Sequence, residues 1–247
     1  MSTLTLSGIT SGYGDITIIR NLSLAAESGK LVALLGRNGA GKTTTLRTVA
    51  GLLRSSAGTI TLDDRNITAH PPYQRASAGI AFVQEGKRIF RARTVEENLV
   101  LGAFATRLKR RQLGDRLEEA YDRFPILRGR RQISAGALSG GQQQMLAIAQ
   151  ALMRHPSVLL LDEPSAGLAP TIVADVYEAI ARLRDDGLTI VLVEQAVGWA
   201  TSVADHIVVI ELGHPIYDGV PVGPDAEAAI ERLHLRSELA PEPTGSS

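Results

Sequence analysis

The stretch GRNGAGKT, residues 36–43, has the residue types and spacing of a phosphate-binding loop. Its three glycines allow the backbone to wrap with its N–H groups pointing at phosphate oxygens. Lys42 can neutralise the β- and γ-phosphates of a nucleotide, and the Thr43 hydroxyl can bind Mg²⁺. The stretch follows a predicted strand and opens a predicted helix, which separates it from a chance glycine-rich turn. The predicted ATP-binding residues of this loop are Gly36, Arg37, Asn38, Gly39, Ala40, Gly41, Lys42, Thr43 and Thr44.

A pair of carboxylates follows the apolar run SVLLLDEP. Residues 158–161 predict a buried strand that ends at Asp162 and Glu163. Ligands of open α/β sheets collect at the carboxyl ends of the strands, so both side chains are expected beside the nucleotide. We expect Asp162 to hold Mg²⁺ through water and Glu163 to orient and polarise the attacking water. Alone, the pair could be an acidic strand end at the surface, but the phosphate-binding loop upstream favours ATP hydrolysis.

The stretch LSGGQQQ, residues 138–144, offers half of an anion site. Ser139 is a hydroxyl donor, and Gly140 and Gly141 leave backbone N–H groups unobstructed at the positive end of a predicted helix. The stretch contains no lysine and no carboxylate. Composition alone favours a polar helix start capped by Ser139, and an anion site here needs groups from elsewhere.

The spacing of apolar residues predicts an α/β chain around these groups. Strands are predicted at LTLSGIT, KLVALLG, TITL, GIAFVQ, SVLLLDEP and LTIVLVEQ, and DHIVVIELGHPIYDG predicts a hairpin. RSSAG predicts a turn, and PTIVADVYEAIARLRDDG predicts a helix that ends at Gly187. Alternation of strands with helices implies a mostly parallel core sheet, whereas the short N-terminal strands predict an antiparallel β subdomain.

A helical subdomain is predicted at about residues 94–138. Thr94 and Glu97 in TVEEN have the spacing of a capping box. The apolar residues that follow at helical spacing are Leu117, Ala120, Tyr121 and Phe124. We expect this subdomain to be an insertion within a single domain of residues 1–236, and we expect residues 237–247 to form a disordered tail.

Composition excludes several classes of function. The 26 Lys and Arg balance the 26 Asp and Glu, so no overall field favours nucleic acid, and the lack of cysteine excludes a disulfide framework or a zinc–thiolate site. No secretory signal is visible, and no apolar run approaches the roughly 20 residues of a membrane helix. Residues 104–131 carry nine Lys/Arg and four Asp/Glu, a net charge of +5 (9 − 4), which a solvated helix face explains. Contact with a membrane subunit or lipid headgroups is the alternative for this segment.

With its motifs in this order and spacing, the chain resembles the nucleotide-binding subunits of ABC transporters from about residue 4 to 235. The resemblance implies that two such subunits pack head to tail and that each ATP lies between the phosphate-binding loop of one and LSGGQ of the other. The lysine that LSGGQ lacks would then come from the partner's loop. Residues expected to close on the γ-phosphate in trans are Ser139, Gly140, Gly141 and Gln142.

Two further ATP contacts are implied by the resemblance alone. Tyr13 stands where the family stacks an aromatic ring on adenine, and a turn tyrosine packed at the surface is the alternative. Gln195 stands where the family usually has a catalytic histidine after the last core strand. We expect the Gln195 amide to hold the γ-phosphate, and a role as cap of a helix beginning near Ala196 is the alternative.

The family's usual glutamine before the helical subdomain is also replaced. Alignment on Val83 and Phe90 places Glu85 at that position, where the family reaches Mg²⁺, and Gln84 one residue early. A carboxylate can still bind Mg²⁺. The expected metal-binding residues are therefore Thr43, Glu85 and Asp162.

The departures at 85 and 195, together with EPSAGLAP and TVEEN, resemble the subfamily that serves uptake of branched-chain and other hydrophobic amino acids. The match is to its smaller ATPase subunit. The resemblance implies an ATP- and Mg²⁺-dependent ATPase, peripheral on the cytoplasmic face of the inner membrane. Its partners would be a second ABC ATPase in a homo- or heterodimer, two permease subunits and, through them, an extracytoplasmic solute-binding protein, with no nucleic acid. The alternatives are uptake of urea, amides or another small solute, a soluble ABC ATPase of translation or DNA repair, and an ATP sensor that does not hydrolyse.

Overall fold

A computed structural model of the chain describes residues 2–106 and 108–238. Its strands are β1 (Leu4–Tyr13), β2 (Ile16–Ala26), β3 (Leu31–Gly36), β4 (Ser55–Leu62), β5 (Arg65–Asn66), β6 (Ile80–Val83), β7 (Val158–Asp162), β8 (Thr189–Glu194), β9 (His206–Glu211) and β10 (His214–Gly219). Its α-helices are α1 (Lys42–Val49), α2 (Pro72–Ser77), α3 (Val95–Gly102), α4 (Arg110–Arg123), α5 (Pro125–Arg128), α6 (Gly140–Leu152), α7 (Pro170–Asp185), α8 (Val197–Val203) and α9 (Pro224–Glu238).

The strands form two sheets. One has four strands in the order β2-β1-β4-β5, all antiparallel. The other has six strands in the order β10-β9-β3-β8-β7-β6, with β10 antiparallel to β9 and every other pair parallel. The predicted α/β class, the mostly parallel core sheet and the antiparallel N-terminal unit are confirmed.

The three central strands of the larger sheet bring their carboxyl ends to one edge. Every residue of β3, β7 and β8 is buried, as expected for parallel strands covered on both faces, which explains their continuous apolar runs. Leu35 of β3 pairs with Glu194 of β8, and Asp162 of β7 pairs with Val193. The loops that follow these three strands therefore start side by side.

The helical segment begins with the predicted capping box. The Glu97 backbone N–H donates to the Thr94 hydroxyl at 3.1 Å, and the Thr94 N–H donates to the Glu97 carboxylate at 2.7 Å. These bonds satisfy two N–H groups that a helix start otherwise leaves free. The sequence pattern thus identified the first residue of this segment correctly.

The helical segment shares a hydrophobic core with the larger sheet. Ala120, Tyr121 and Phe124 are buried in one cluster with Leu161 of β7, and Leu117 packs against it. This continuity supports the predicted single domain with a helical insertion. The tail predicted at 237–247 lies outside the described residues, except for Ser237 and Glu238 at the end of α9.

Two turns differ in how well the sequence predicted them. The helix expected to end at Gly187 does so: α7 stops at Asp185, and Gly187 follows with a φ of 91°. The turn expected at RSSAG is wrong in part, because β4 already begins at Ser55, which pairs with Ser11 of β1. Register shifts in this pairing, rather than a free turn, accommodate the small residues.

Ion pairs reduce the positive charge of the helical segment. Arg128 contacts Glu118 at 2.6 Å and Asp122 at 2.7 Å, and Arg123 contacts Glu119 at 3.2 Å. These contacts agree with a solvated helix face. Within residues 2–106 and 108–238, no helix is long and apolar enough to cross a bilayer.

Candidate active site

The phosphate-binding loop connects the end of β3 to the start of α1 and requires its glycines for steric reasons. A Cβ on Gly36 would lie 2.6 Å from the Ile210 carbonyl oxygen of the neighbouring strand β9. Gly39 and Gly41 have φ values of 78° and 106°, in the left-handed region that other residues rarely adopt. Gly41 directly precedes Lys42, the first residue of α1, so the strained turn and the helix start are continuous.

Lys42 lies inside this loop and touches the predicted catalytic carboxylate. Its side chain is only 4% exposed, and its ammonium donates to the carbonyl oxygens of Gly36 at 2.9 Å and Arg37 at 3.2 Å. The same nitrogen lies 3.4 Å from Glu163 Oε1. Two residues separated by more than a hundred positions in the sequence are thus brought into one ion pair.

Thr43 and Asp162 form the second contact between the loop and β7. The Thr43 hydroxyl donates to Asp162 Oδ1 at 2.8 Å. Burial raises the pKa of the Asp162 carboxyl; the Thr43 hydrogen bond opposes this rise in pKa, and the nearby charges of Glu163 and Glu85 add to it. A cation beside Asp162 would remove the electrostatic strain that these negative charges create.

The oxygen donors around Asp162 fit Mg²⁺. A hydroxyl and one or two carboxylates are typical protein ligands for this ion, which completes its shell with phosphates and water. In the described part of the chain, no three His, Asp or Glu side chains cluster into a metal site made of protein groups alone.

Glu85 and Gln84 have different surroundings in the structure. The charge of Glu85 is close enough to Asp162 to raise the pKa of that carboxyl. Gln84 instead lines a cavity of about 270 Å³ between β6 and α6, together with Phe82 and Gln150. The role of Glu85 in binding Mg²⁺ stays a prediction, which its proximity to Asp162 supports.

Glu163 and Gln195 face each other directly. The Gln195 amide nitrogen lies 2.8 Å from Glu163 Oε1 and 2.7 Å from Oε2. Glu163 is 13% exposed and has a φ of 46°, an unusual conformation for a glutamate, and its N–H donates to the Val193 carbonyl at 2.9 Å. Strain of this kind is typical of functional positions.

The alternative role for Gln195, as a helix cap, is wrong. Helix α8 begins at Val197, its N-cap is Ala196, and no side chain caps it. The Gln195 side chain extends instead toward Glu163, which directly follows β7 at the carboxyl edge of the sheet.

Tyr13 is fixed to the helix that follows the phosphate-binding loop. Its hydroxyl accepts a hydrogen bond of 3.0 Å from Arg47 of α1, and the residue is 44% exposed. An exposed ring anchored at its tip can offer a face to a base, although this contact equally suits a surface tyrosine. The adenine-stacking role of Tyr13 stays a prediction, and Arg47 is a neighbour that the sequence alone did not indicate.

LSGGQ forms the predicted helix start. Ser139 is the N-cap of α6: the Gln142 N–H donates to its hydroxyl at 3.4 Å, and the Ser139 N–H donates to Gln142 Oε1 at 3.2 Å. Among the described residues, no hydrogen bond or ion pair joins this stretch to Lys42 or Glu163 of the same chain.

The glycines of this stretch have different surroundings. A Cβ on Gly141 would lie 2.0 Å from Ile172 Cγ2, so this glycine permits α6 to pack on α7. A Cβ on Gly140 would lie 3.2 Å from Leu168 Cδ2 and 3.5 Å from Lys87 Nζ. No sequence motif indicated Lys87, whose ammonium supplies a positive charge beside a stretch that has none of its own.

Comparison with known proteins decides the family. A family described as ABC transporter matches residues 19–166. The chain belongs to the ABC transporter family. It is accordingly an ATP-binding subunit of a transporter, and it hydrolyses ATP.

Three relatives indicate the range of transport systems with similar subunits. The high-affinity branched-chain amino acid transport ATP-binding protein BraG of Pseudomonas aeruginosa is 40% identical over 210 residues, 85% of this chain and 89% of BraG. A probable branched-chain amino acid transport ATP-binding protein, LivF of Archaeoglobus fulgidus, is 37% identical over 85% of this chain and 89% of LivF. The lipopolysaccharide export system ATP-binding protein LptB of Escherichia coli K12 is 35% identical over 97% of this chain and 99% of LptB.

Solved structures share the fold of this ABC subunit. A nucleotide-free ATP-binding cassette from an ABC transporter matches with a TM-score of 0.85 at 23% identity, over 98% of this chain and all of that one. The ADP conformation of another ABC transporter cassette matches with a TM-score of 0.80 at 26% identity, over 95% of each chain. The sheet arrangement and the helical insertion are therefore those of an ATP-binding cassette.

Proposed function

We propose that this chain is the ATPase subunit of an importer for branched-chain or related hydrophobic amino acids. The observation that carries the proposal is its 40% identity to BraG and 37% identity to LivF over 85% of the chain. Glu85 and Gln195, the two departures from the usual ABC pattern, also resemble that subfamily. The subunit would work as a dimer with a second ABC ATPase, against two permease subunits on the cytoplasmic face of the inner membrane, supplied by an extracytoplasmic binding protein.

Each catalytic group has a role that its geometry supports. The loop N–H groups and Lys42 bind the phosphates of ATP, and Glu163 orients and polarises the attacking water. Gln195 holds the Glu163 carboxylate and donates to the γ-phosphate as charge develops there. Mg²⁺, when bound beside Thr43, Asp162 and Glu85, would neutralise phosphate charge. Ser139 and its neighbours in LSGGQ would complete the site of the partner subunit.

Export of a lipid is the second candidate. The LptB relative covers 97% of this chain and 99% of its own length at 35% identity, so the cassette alone does not determine the direction of transport. The phosphate-binding loop and LSGGQ serve both directions equally, because solute selectivity lies in the membrane subunits.

Isolation of the assembled transporter tests the proposal. A tagged chain is purified from detergent-solubilised membranes, and the co-purifying chains are identified and reconstituted in vesicles. We expect two permeases, a second ATPase and a binding protein, with ATP-dependent uptake of labelled leucine that glutamate does not compete. Permeases that extract a lipid, or uptake of urea but not leucine, would overturn the amino-acid assignment and leave the ATPase activity in place.

Gln195→Ala should slow hydrolysis roughly 10- to 100-fold at saturating Mg-ATP, the effect of losing one donor at a developing charge. The Glu163 carboxylate also loses the amide that contacts both its oxygens. ATP affinity should change much less, because Lys42 and the loop remain. Gln195→His should retain activity and add a pH dependence near the imidazole pKa of about 6.5.

The measurement is kcat of the assembled complex from about pH 5.5 to about 8.5. Gln132→Ala, which truncates an exposed glutamine of the helical segment, serves as the matched control. A Gln195→Ala complex with wild-type kcat would remove Gln195 from the reaction and leave the γ-phosphate to Lys42, Mg²⁺ and the partner.

A further inference from the structure

A buried carboxylate behind the active site bonds to two of its loops. Glu194, the last residue of β8, is 2% exposed. Its Oε1 accepts a hydrogen bond of 3.0 Å from the Ser165 backbone N–H. Its Oε2 accepts from the N–H groups of Gln195 at 2.9 Å and Ala196 at 3.2 Å. Both oxygens of one side chain are thus engaged by backbone donors.

The donors belong to the two loops that carry the reacting groups. Ser165 lies two residues after Glu163 in the loop between β7 and α7, and Gln195 and Ala196 form the loop between β8 and α8. The same loops meet a second time where the Gln195 amide contacts the Glu163 carboxylate. The two loops are therefore joined twice, once through the Glu194 carboxylate and once through the bond between the Gln195 amide and the Glu163 carboxylate.

A buried carboxylate is energetically unfavourable at this position unless it has partners. Burying a charge costs several kcal/mol unless hydrogen bonds or an opposite charge compensate it, and no described lysine, arginine or histidine forms an ion pair with Glu194. The three N–H donors supply that compensation. An apolar residue would leave these three N–H groups without this acceptor, so the carboxylate serves the two loops rather than the strand itself.

A second polar group, the buried hydroxyl of Tyr177 on α7, lies beside Glu194. It has no hydrogen bond of good geometry to any described residue, but Glu194 and Ser165 are its polar neighbours. Burial and then the Glu194 charge raise the pKa of this phenol, so it stays a neutral group. The Tyr177 ring stacks on Trp199 with 5.8 Å between ring centres, which fixes it in place independently of its hydroxyl.

We propose that Glu194 is a positioning residue for ATP hydrolysis. It holds the two loops at a fixed distance, so that the Gln195 amide and the Glu163 carboxylate remain aligned for the attacking water. The inference rests on the roles proposed above for Glu163 and Gln195. Its effect should appear in kcat rather than in ATP binding, because the backbone donors to its carboxylate belong to the loops after β7 and β8 and not to the phosphate-binding loop.

Glu194→Gln tests the charge while keeping the shape. The amide offers one acceptor oxygen, and its NH₂ group turns toward an N–H donor, so one of the two loops loses its anchor. We expect kcat of the purified complex to fall roughly 10- to 100-fold, as for a small misplacement of reacting groups. KM for ATP should stay within about threefold. Glu178→Gln, which makes the same change on the exposed face of α7, should leave kcat at the wild-type value.

A double-mutant cycle with Gln195→Ala separates positioning from a general loss of stability. If Glu194 acts through the alignment of Gln195, the double variant should be no slower than the slower single variant. Multiplication of the two single effects would overturn the inference, as would wild-type kcat in Glu194→Gln. An equal loss of ATP affinity and kcat, accompanied by a lower melting temperature, would also overturn it, since that result assigns Glu194 to the fold.

Two further results complete the test. Glu194→Asp retains both carboxylate oxygens on a shorter side chain, and it should recover part of the kcat lost in Glu194→Gln. If neither variant folds, Glu194 holds the domain together, and the positioning role is wrong. Wild-type kcat in Gln195→Ala would defeat the role proposed above for Gln195, whereas a slow Gln195→Ala beside a wild-type Glu194→Gln would defeat only this inference.

Discussion

Glu163→Gln is expected to lower kcat roughly 10²- to 10⁴-fold, the contribution of a positioned general base, while ATP still binds. Glutamine keeps the size of the side chain and can still accept from Gln195, but it lacks the charge that polarises water. The substitution also removes the ion pair with Lys42, now 3.4 Å long, and one of the charges that raise the pKa of Asp162. Both changes leave the site less negative, so the variant should retain the anionic nucleotide.

The variant should therefore accumulate in its ATP-bound dimer. Size-exclusion chromatography with Mg-ATP would show a persistent dimer for Glu163→Gln and a transient one for the wild type. Glu178→Gln, on the exposed face of α7, is the matched control and should behave as wild type. Turnover at the wild-type rate would remove Glu163 from the catalytic role, and loss of ATP binding would assign its charge to the structure of the site.

Gly140→Asp should reduce hydrolysis by roughly 100-fold or more while the isolated subunit still binds nucleotide. The new carboxylate would stand where the partner's γ-phosphate is expected, and like charges a few Å apart cost several kcal/mol once water is excluded. It would also pair with Lys87, whose ammonium lies 3.5 Å from a Cβ at this position. The motif would thus gain a negative charge and lose its nearest positive one.

The control for Gly140→Asp is Gly140→Ala. Its methyl group would meet only the ends of two flexible side chains, with Leu168 Cδ2 at 3.2 Å, so volume alone should be tolerated. Gly141 is unsuitable, because a Cβ there lies 2.0 Å from Ile172 and would disturb the packing of α6. Hydrolysis by the assembled complex and nucleotide affinity of the isolated subunit are measured together. An equal fall in both would mean that LSGGQ does not act in trans.

The sequence predicted the parts of the site that local chemistry determines. Residues 158–161 form a buried parallel strand because both faces are covered, and their apolar run places Asp162 at the sheet edge without knowledge of the rest. The capping boxes at Thr94 and Ser139 follow from short-range hydrogen bonds. Thr43 meets Asp162 because β3 and β7, which β8 separates, end at the same carboxyl edge of the sheet.

Contacts that depend on loop conformation were not visible in the sequence. Lys87 reaches Gly140 from a loop in which its own φ is 49°, a conformation that no local pattern predicts. Glu194 reads as an ordinary polar residue near the end of the strand LTIVLVEQ, and only the fold shows that it is buried against two loops. Tertiary contacts, not residue type, decide such positions.

The core that joins the helical segment to the larger sheet has a thermodynamic consequence. Since Tyr121 and Phe124 pack in one cluster with Leu161, the two parts should unfold in a single cooperative transition. ATP held at the sheet edge then adds RT ln(1 + [L]/Kd) to the unfolding free energy of the whole unit. Amide hydrogens of α4 would exchange more slowly with ATP bound, although no residue of that helix is expected to touch it.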